Sequence, residues 1–401
     1  MQAPNEDQAS RARLTRLAGK PGKGGLEAGG PPQPDLSNDR IKTSLEQLRR
    51  VLAKEVVENE ATSLGQDEAD LMIEKAGSAL EKLATEGGAA PLSPAEDNGL
   101  EAVISADGSR PSLLVQDGFV DTADERVGDW HDELTMNEAA IRRAIASSGR
   151  LLVNGDTAEN SVFGTAWMIT PGLAATAQHV VNGLFKRSGE QWFIQAGRTI
   201  TLDFHVEAGR DPRPGERIGV KGVHWPSPDA SKIKTDIDLK NLDIAILELD
   251  DEGPEAPPVL QVSTKLDQQT TTPQIHLVGH PARPWWQVPD TPDVAPEEAQ
   301  SMTKQVLDLV FGNGFGVKRW SPGVVLATPG VLDGDIHRRV MTHDSSTLGG
   351  NSGSAVFDLV NIVDRVLGVH YAGHFKAQNY AHPFEKLVQP SFPIPPGAVF
   401  V

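Results

Sequence analysis

Ser346–Asp358 reads STLGGNSGSAVFD, three glycines and three serines in a short loop that then turns apolar. Glycine loses more freedom on ordering than other residues, so it is used where a backbone turns tightly or approaches something closely. Gly and Ser also dominate ordinary turns. The loop is therefore either a turn feeding a strand, or a device that presents Ser352, between Asn351 and Gly353, together with bare backbone N–H groups. The rest of the chain has to choose.

Working outward, short apolar runs recur from Leu151 onward: SVFGTAWMIT, LAATAQHVV, QWFIQ, TLDFHV, DIAILEL, QIHLVGH, GVVLAT and VLGVHYAGH. Gly and Pro punctuate them at the spacing of an all-β barrel or sandwich. A longer insertion interrupts them, and its PEEAQSMTKQVLDLV (296–310) predicts a short helix packed on the barrel. Upstream, TMNEAAIRRAIASSGRL reads as a helix with Ile141, Ala144 and Ile145 on one face.

The N-terminal third has a different pattern. Residues 1–40 are rich in Gly, Pro, Gln, Asp and Lys without apolar periodicity, which predicts a disordered tail. Leu45, Leu48, Leu52 and Val56 then recur at helical spacing, with Ser44 as an N-cap candidate and Gln47 as its box partner. Leu71, Met72, Ala76, Leu80 and Leu83 form a second run. Together they predict a helical hairpin over 41–85 that is regulatory or partner-binding. Two helices bury little by themselves, so the apolar face needs the main domain, a second copy or another protein. Residues 86–132, opening GGAAPLSPAEDNG, read as a linker by composition, and 133–395 as the main domain.

Composition narrows the function. The formal net charge of −18 over 401 residues speaks against binding nucleic acid or an acidic membrane surface. There are no cysteines, which excludes disulfides, thiolate catalysis and cysteine zinc sites. No signal-peptide core and no membrane-length apolar run occur, so the expectation is a cytoplasmic protein of bacterial style.

Three stretches now combine. GTAWMITPGLAATAQHVV carries His179, NLDIAILELD carries Asp243, and the opening loop carries Ser352. Each has an ordinary explanation: a structural histidine, a capping aspartate, a turn serine. Their order across an all-β pattern, His then Asp then Ser, is that of the chymotrypsin-like triad. TAQHVV is similar to that family's TAAHC and TNRHVV segments, DIAILEL to its DIALL strand, and GGNSGSAVF to its GDSGGP and GNSGSPV loops. Residues 150–390 thus resemble a chymotrypsin-like serine peptidase of the bacterial trypsin-like and glutamyl-endopeptidase branch.

The resemblance implies a mainly β, chymotrypsin-like double β-barrel behind the N-terminal helical segment. It implies a serine endopeptidase acting on protein or peptide substrates, with His179, Asp243 and Ser352 catalytic and the N–H groups of Gly350 and Ser352 forming the oxyanion hole. Asp236 and Asp238 compete with Asp243, but only Asp243 directly precedes IAIL. In many relatives an Asp just before the nucleophile pairs with a freshly cut N-terminus. Asn351 stands there in this chain, so RLLVNG from Arg150 is not taken as an activation site.

The same resemblance points to a substrate pocket at Ser346, Thr347, His370 and Gly373, with a preference for acidic residues before the cut. His370 sits in GVHYAGH where glutamyl endopeptidases carry a carboxylate-binding histidine, and Ser346 leaves the pocket floor neutral. A buried strand histidine is the plain alternative. His276 and His280 share a strand face, but no third ligand completes a metal set, and no cofactor is implied. Trp285 and Trp286 read as core cover or groove lining. Two rival readings of the whole are an inactive peptidase fold that binds partners through its helical region, and an esterase on the same fold.

Overall fold

A computed structural model describes residues 6–19, 34–58, 64–158, 161–210, 217–233, 237–250, 256–264, 273–283, 296–312, 314–359, 364–374, 376–387, 395 and 397–400. Asp236, Trp285 and Trp286 fall outside them.

The N-terminal helices are α1 (Glu6–Leu17), α2 (Asn38–Glu58), α3 (Gln66–Glu86) and α4 (Pro94–Ala106). Two short strands follow, β1 (Leu113–Gln116) and β2 (Phe119–Val120), then α5 (His131–Met136) and α6 (Glu138–Ser147). The next strands are β3 (Ser148–Val153), β4 (Gly164–Thr170) and β5 (Leu173–Thr176), which runs into helix α7 (Gln178–Leu184). A hairpin of β6 (Phe185–Ser188) and β7 (Gln191–Ile194) precedes β8 (Ile200–Asp203), β9 (Arg217–Trp225) and β10 (Ala245–Leu249). Strands β3, β4, β5, β8, β9 and β10 close into an antiparallel six-stranded barrel.

The second half comprises β11 (Gln261–Val262), β12 (Gln274–Gly279), α8 (Pro296–Phe311), β13 (Arg319–Ala327), β14 (Met341–His343), β15 (Ala355–Asp358), β16 (Arg365–Gly373) and β17 (Asn379–Pro383). Strands β12 to β17 without β11 pair in the order β12–β15–β16–β17–β14–β13, and β12 pairs back to β13, so a second six-stranded barrel closes. Closure removes free strand edges. Trp167, Trp320, Phe357 and Phe384 are buried in one cluster that also takes Trp130, Leu134, Ile141 and Ile145 from the preceding segment. The double-barrel architecture with N-terminal helices agrees with the sequence reading.

The N-terminal third departs from that reading. Instead of a disordered tail, Glu6–Leu17 is a helix with Ala12, Arg16 and Leu17 buried. Ser44 is no N-cap, because α2 already starts at Asn38; its hydroxyl faces Asp107 at 3.5 Å. The stretch read as a linker holds α4, almost wholly buried. Its Ser-Pro pair is a helix start: Ser93 accepts from Glu96 N, Glu96 reaches back to Ser93 N at 2.8 Å, and Pro94 needs no N–H in the first turn. β1 pairs with β13, so the barrel unit begins before residue 133.

Much of the apolar face of α2 and α3 is covered by the chain itself. Leu48, Leu52, Met72, Ala76, Leu80 and Leu83 share one core with Leu100 and Val103 of α4 and with Val306, Val310 and Phe311 of α8. α8 is the helix expected in the insertion, but it packs into this helical layer. Gly99 lets α4 approach α3 closely, since a Cβ there would lie 2.4 Å from Ala76 N. Burying one such Leu contributes roughly 1.5–3 kcal/mol. Leu348, from the loop that carries Ser352, belongs to the same core.

Candidate active site

His179 sits in the first turn of α7. Gln178 pins that turn: its Oε1 accepts from Ser227 N at 2.7 Å and its Nε2 donates to Asn182 Oδ1 at 2.9 Å. Asn182 in turn donates to the carbonyl of Ala230. Asp243 directs both carboxylate oxygens at His179: the backbone N–H donates to Oδ1 at 2.8 Å, and ring Nδ1 lies 2.7 Å from Oδ2. The carboxylate side chain is 8 % exposed and the imidazole 17 %. The arrangement holds the ring as the Nδ1–H tautomer and leaves Nε2 as the available base.

A residue missed in the sequence stands behind the aspartate. Asp243 N donates to Nε2 of His382 on β17 at 3.0 Å, and His382 Nδ1 donates to the carbonyl of Arg339 at 3.0 Å. Both ring nitrogens are thus assigned in the neutral form, and burial pushes this histidine below its ordinary range. Its ring stacks on Tyr371 with centroids 4.3 Å apart. Tyr371 OH donates to the carbonyl of Asp238, and Asp238 itself turns its carboxylate to the backbone of Lys240 and Asn241. Asp238 is therefore a turn residue and Asp243 the one facing the histidine.

The Ser352 loop is clamped against the first barrel. Thr165 N donates to Ser352 O at 2.9 Å, and Thr165 Oγ1 donates to Gly350 O at 3.0 Å. That hydroxyl has a single proton, so His280 Nδ1, 3.2 Å from it, is a donor. Gly350 and Gly353 have φ of +91° and +93°. A Cβ on Gly350 would lie 2.4 Å from the His280 carbonyl, and one on Gly353 would lie 2.1 Å from the Thr165 carbonyl and 3.0 Å from Ala177 N. The loop thus rests on the junction of β4 and the start of α7, which brings Ser352 to the His179 side of the barrel interface. Ser352 is half-buried, and its Oγ lies 3.5 Å from the Tyr371 carbonyl.

Amides of Asn351, Gly353 and Ser354 donate to the carbonyls of Leu348, His370 and Asn351. The N–H groups of Gly350 and Ser352 have no acceptor among the described residues. Asn351 is 4 % exposed, and its Nδ2 donates to Leu348 O. It presents no carboxylate to a new amine.

The predicted pocket residues lie together, but their hydroxyls are already engaged. Ser346 Oγ donates to Arg110 O at 2.7 Å, and Thr347 Oγ1 donates to Asn379 Oδ1 at 2.6 Å. Gly373, at the rim, passes so close to Asn379 that a Cβ would lie 2.1 Å from its Oδ1. His370 is buried, with Nδ1 3.2 Å from Nε2 of His343, a second residue the sequence did not reveal. Burial holds His370 well below the ordinary range, with His343 and His179 adding to the effect, and burial holds His343 at about 3. Both rings are neutral near neutral pH. His276, considered as a ligand from sequence, instead stacks on Phe357 at 4.8 Å.

The chain matches a model of the trypsin-like peptidase domain over residues 164–369. It is 29% identical over 299 residues to a probable serine protease of Lysobacter enzymogenes, FE772_23060, covering 71% of this chain and 72% of that one. Among solved structures, it is similar to the active form of the Rv3671c protease from M. tuberculosis, at 16% identity and a TM-score of 0.35, over 63% of this chain and 83% of that one. A thermostable serine protease, AL20, from an extremophilic microorganism gives 12% identity and a TM-score of 0.39 over 62% and 96%. The domain match spans just over half of the chain, so the chain belongs to the trypsin-like peptidase family and is a serine endopeptidase.

Proposed function

We propose that the peptide bond is cut by Ser352 as nucleophile, His179 as general base and acid, and Asp243 as the group that holds the imidazole. The observation that carries this reading is the double engagement of His179 by Asp243, on the backbone N–H and on ring Nδ1. It leaves Nε2 to take the Ser352 proton as Oγ attacks the substrate carbonyl, and to return a proton to the leaving amine. Oγ gives up its 3.5 Å contact with Tyr371 O to do so. The N–H groups of Gly350 and Ser352 receive the oxyanion of the tetrahedral intermediate. Water then repeats the sequence on the acyl-enzyme. A fluorophosphonate should label the full-length wild type at a single residue and leave Ser352→Ala unlabelled. Equal labelling of the two would refute the assignment.

The pocket reading is an acidic residue before the cut. Ser346 and Thr347 donate to oxygens of the protein, so they are not the donors a carboxylate needs. His370 is the candidate donor: with His343 Nε2–H donating to His370 Nδ1, the single proton of the neutral His370 ring is on Nε2. Lys376 lies near Ser346 and Thr347, but its Nζ donates to Asn98 Oδ1, so the reading rests on His370 alone. A peptide library should show Glu or Asp enriched before the cut in wild type, and His370→Ala should flatten the preference, because an unpaired buried carboxylate is costly. Dominant cleavage after Arg or Lys would refute it.

A further inference from the structure

The start of the Ser352 loop hangs on a side chain that takes no part in the chemistry. Arg110, between α4 and β1, is fully buried. Its Nε and Nη2 donate to the two oxygens of Asp344, each at 2.8 Å. Nη1 donates to the carbonyls of Gly19 at 2.9 Å and Ser109 at 2.6 Å, and Nη2 also donates to Thr15 O at 3.1 Å. All five guanidinium protons therefore have acceptors. Two of those acceptors, Thr15 in the last turn of α1 and Gly19 just beyond it, lie where a cation also meets the negative end of the helix dipole.

On the other side, Asp344 Oδ1 accepts from Val324 N at 2.8 Å, and Ser346 donates to the Arg110 carbonyl. Arg110 thus holds 344–346 by both side chain and backbone, at the root of the run that leads to Ser352. A second buried pair ties α1 to α4 beside it: Arg16 Nη1 and Nη2 donate to Glu101 Oε2 and Oε1 at 2.7 and 2.5 Å. Leu348 anchors the middle of the same run in the helical core.

We propose that Arg110 is a positioning residue for the pocket wall and the Ser352 loop, and that α1 is a built-in activator because it supplies half of Arg110's external acceptors. The device stands in for the paired new N-terminus that Asn351 cannot bind. It rests on the reading of Ser352 as nucleophile.

The test uses the full chain. Arg110→Lys keeps the charge but loses the forked contact. Leu17→Asp leaves Arg110 untouched and places a charge at a position of α1 that is 8 % exposed. With wild-type far-UV circular dichroism and one cooperative thermal transition, each variant should lose roughly 10- to 100-fold in kcat/KM, mostly in kcat, as misplaced catalytic groups do. Fluorophosphonate labelling should slow in parallel. The midpoint of the kcat/KM pH profile should stay at the wild-type value, because His179 and Asp243 are not touched. If Arg110→Lys does not fold, Leu17→Asp decides. Folded variants within twofold of wild type would overturn the clamp while leaving the nucleophile intact. A rise in activity for Leu17→Asp would make α1 an inhibitor and overturn it as well. A wild type that the fluorophosphonate fails to label would refute the nucleophile reading itself, and this proposal with it.

Discussion

The two halves of the site are held in different ways. His179 and Asp243 are supported mostly by neutral hydrogen bonds: Gln178 to Ser227, Asn182 to Ala230, and the neutral His382 behind Asp243. The Ser352 loop, besides its neutral hydrogen bonds to Thr165, is held at its root by a buried ion pair, Arg110–Asp344, and by Leu348 in a core built from the N-terminal helices. A catalytic histidine changes protonation during turnover, and a further fixed charge besides the Asp243 carboxylate would bias its titration. A loop that only presents N–H groups and a hydroxyl has no such restriction, and a forked guanidinium gives it a stiff mount. The difference implies that damage to the first half alters protonation, and damage to the second alters geometry.

The largest effect is expected from Asp243→Asn. The His179 N–H keeps the amide oxygen at the Oδ1 position, so the amide nitrogen faces ring Nδ1. Nδ1 must then accept, the proton moves to Nε2, and the base is lost. Turnover should fall by about 10⁴ with little change in unfolding temperature. A loss below tenfold in steady-state kcat would break the contrast, because the first half would then not work through the tautomer.

A smaller effect, of the geometric kind, is expected from Gly350→Ala. The new Cβ meets the His280 carbonyl at 2.4 Å in a backbone with φ of +91°, so the loop has to move. Removing an oxyanion donor costs roughly 10²–10³ in turnover, and kcat should fall more than KM rises. Gly349→Ala sharpens the point, since nothing lies within 4 Å of a Cβ there. It should stay within a few-fold of wild type. Similar losses at both glycines would mean that the loop responds to added bulk in general.

The barrels and the residues of the proposed triad were legible in sequence because their signals are local: a short apolar run beside the residue in each case. What holds them was not. Arg110 and Asp344 are 234 residues apart, and Asp243 and His382 are 139 apart, and neither pair leaves a trace in periodicity. α1 escaped notice because its docking rests on Arg16, Ala12 and Leu17, too few apolar residues to show a stripe. α4 was hidden by the Gly, Pro and Ser around it, although Ser93-Pro94 with Glu96 three residues on is a helix-start pattern. Acidic preference was argued from three polar pocket residues; hydrogen bonding withdraws two of them and adds His343.

The smallest predicted effect separates the stability of the helical layer from catalysis. Asp107 caps the C-terminus of α4, and burial pushes its carboxyl up to about 6 despite hydrogen bonds from Ser109. Arg40 is 3.9 Å away, and Ser44 Oγ is at 3.5 Å. The native pKa lies above the unfolded value of 3.8, so between the two the folded chain binds more protons than the unfolded one. Stability is highest below pH 3.8 on this account and is lost as pH rises through about 6. Asp107→Asn removes the charge, so at pH 7.5 it should stabilise by on the order of 2 kcal/mol, and at pH 4 by much less. Calorimetric unfolding at the two pH values reads the difference, with kcat measured alongside. An unchanged kcat with a raised unfolding temperature would show that the layer tolerates stabilisation without disturbing Arg110, three residues on. Destabilisation at both pH values would mean that the carboxylate, not its neutral form, is what Ser109 and Ser44 require.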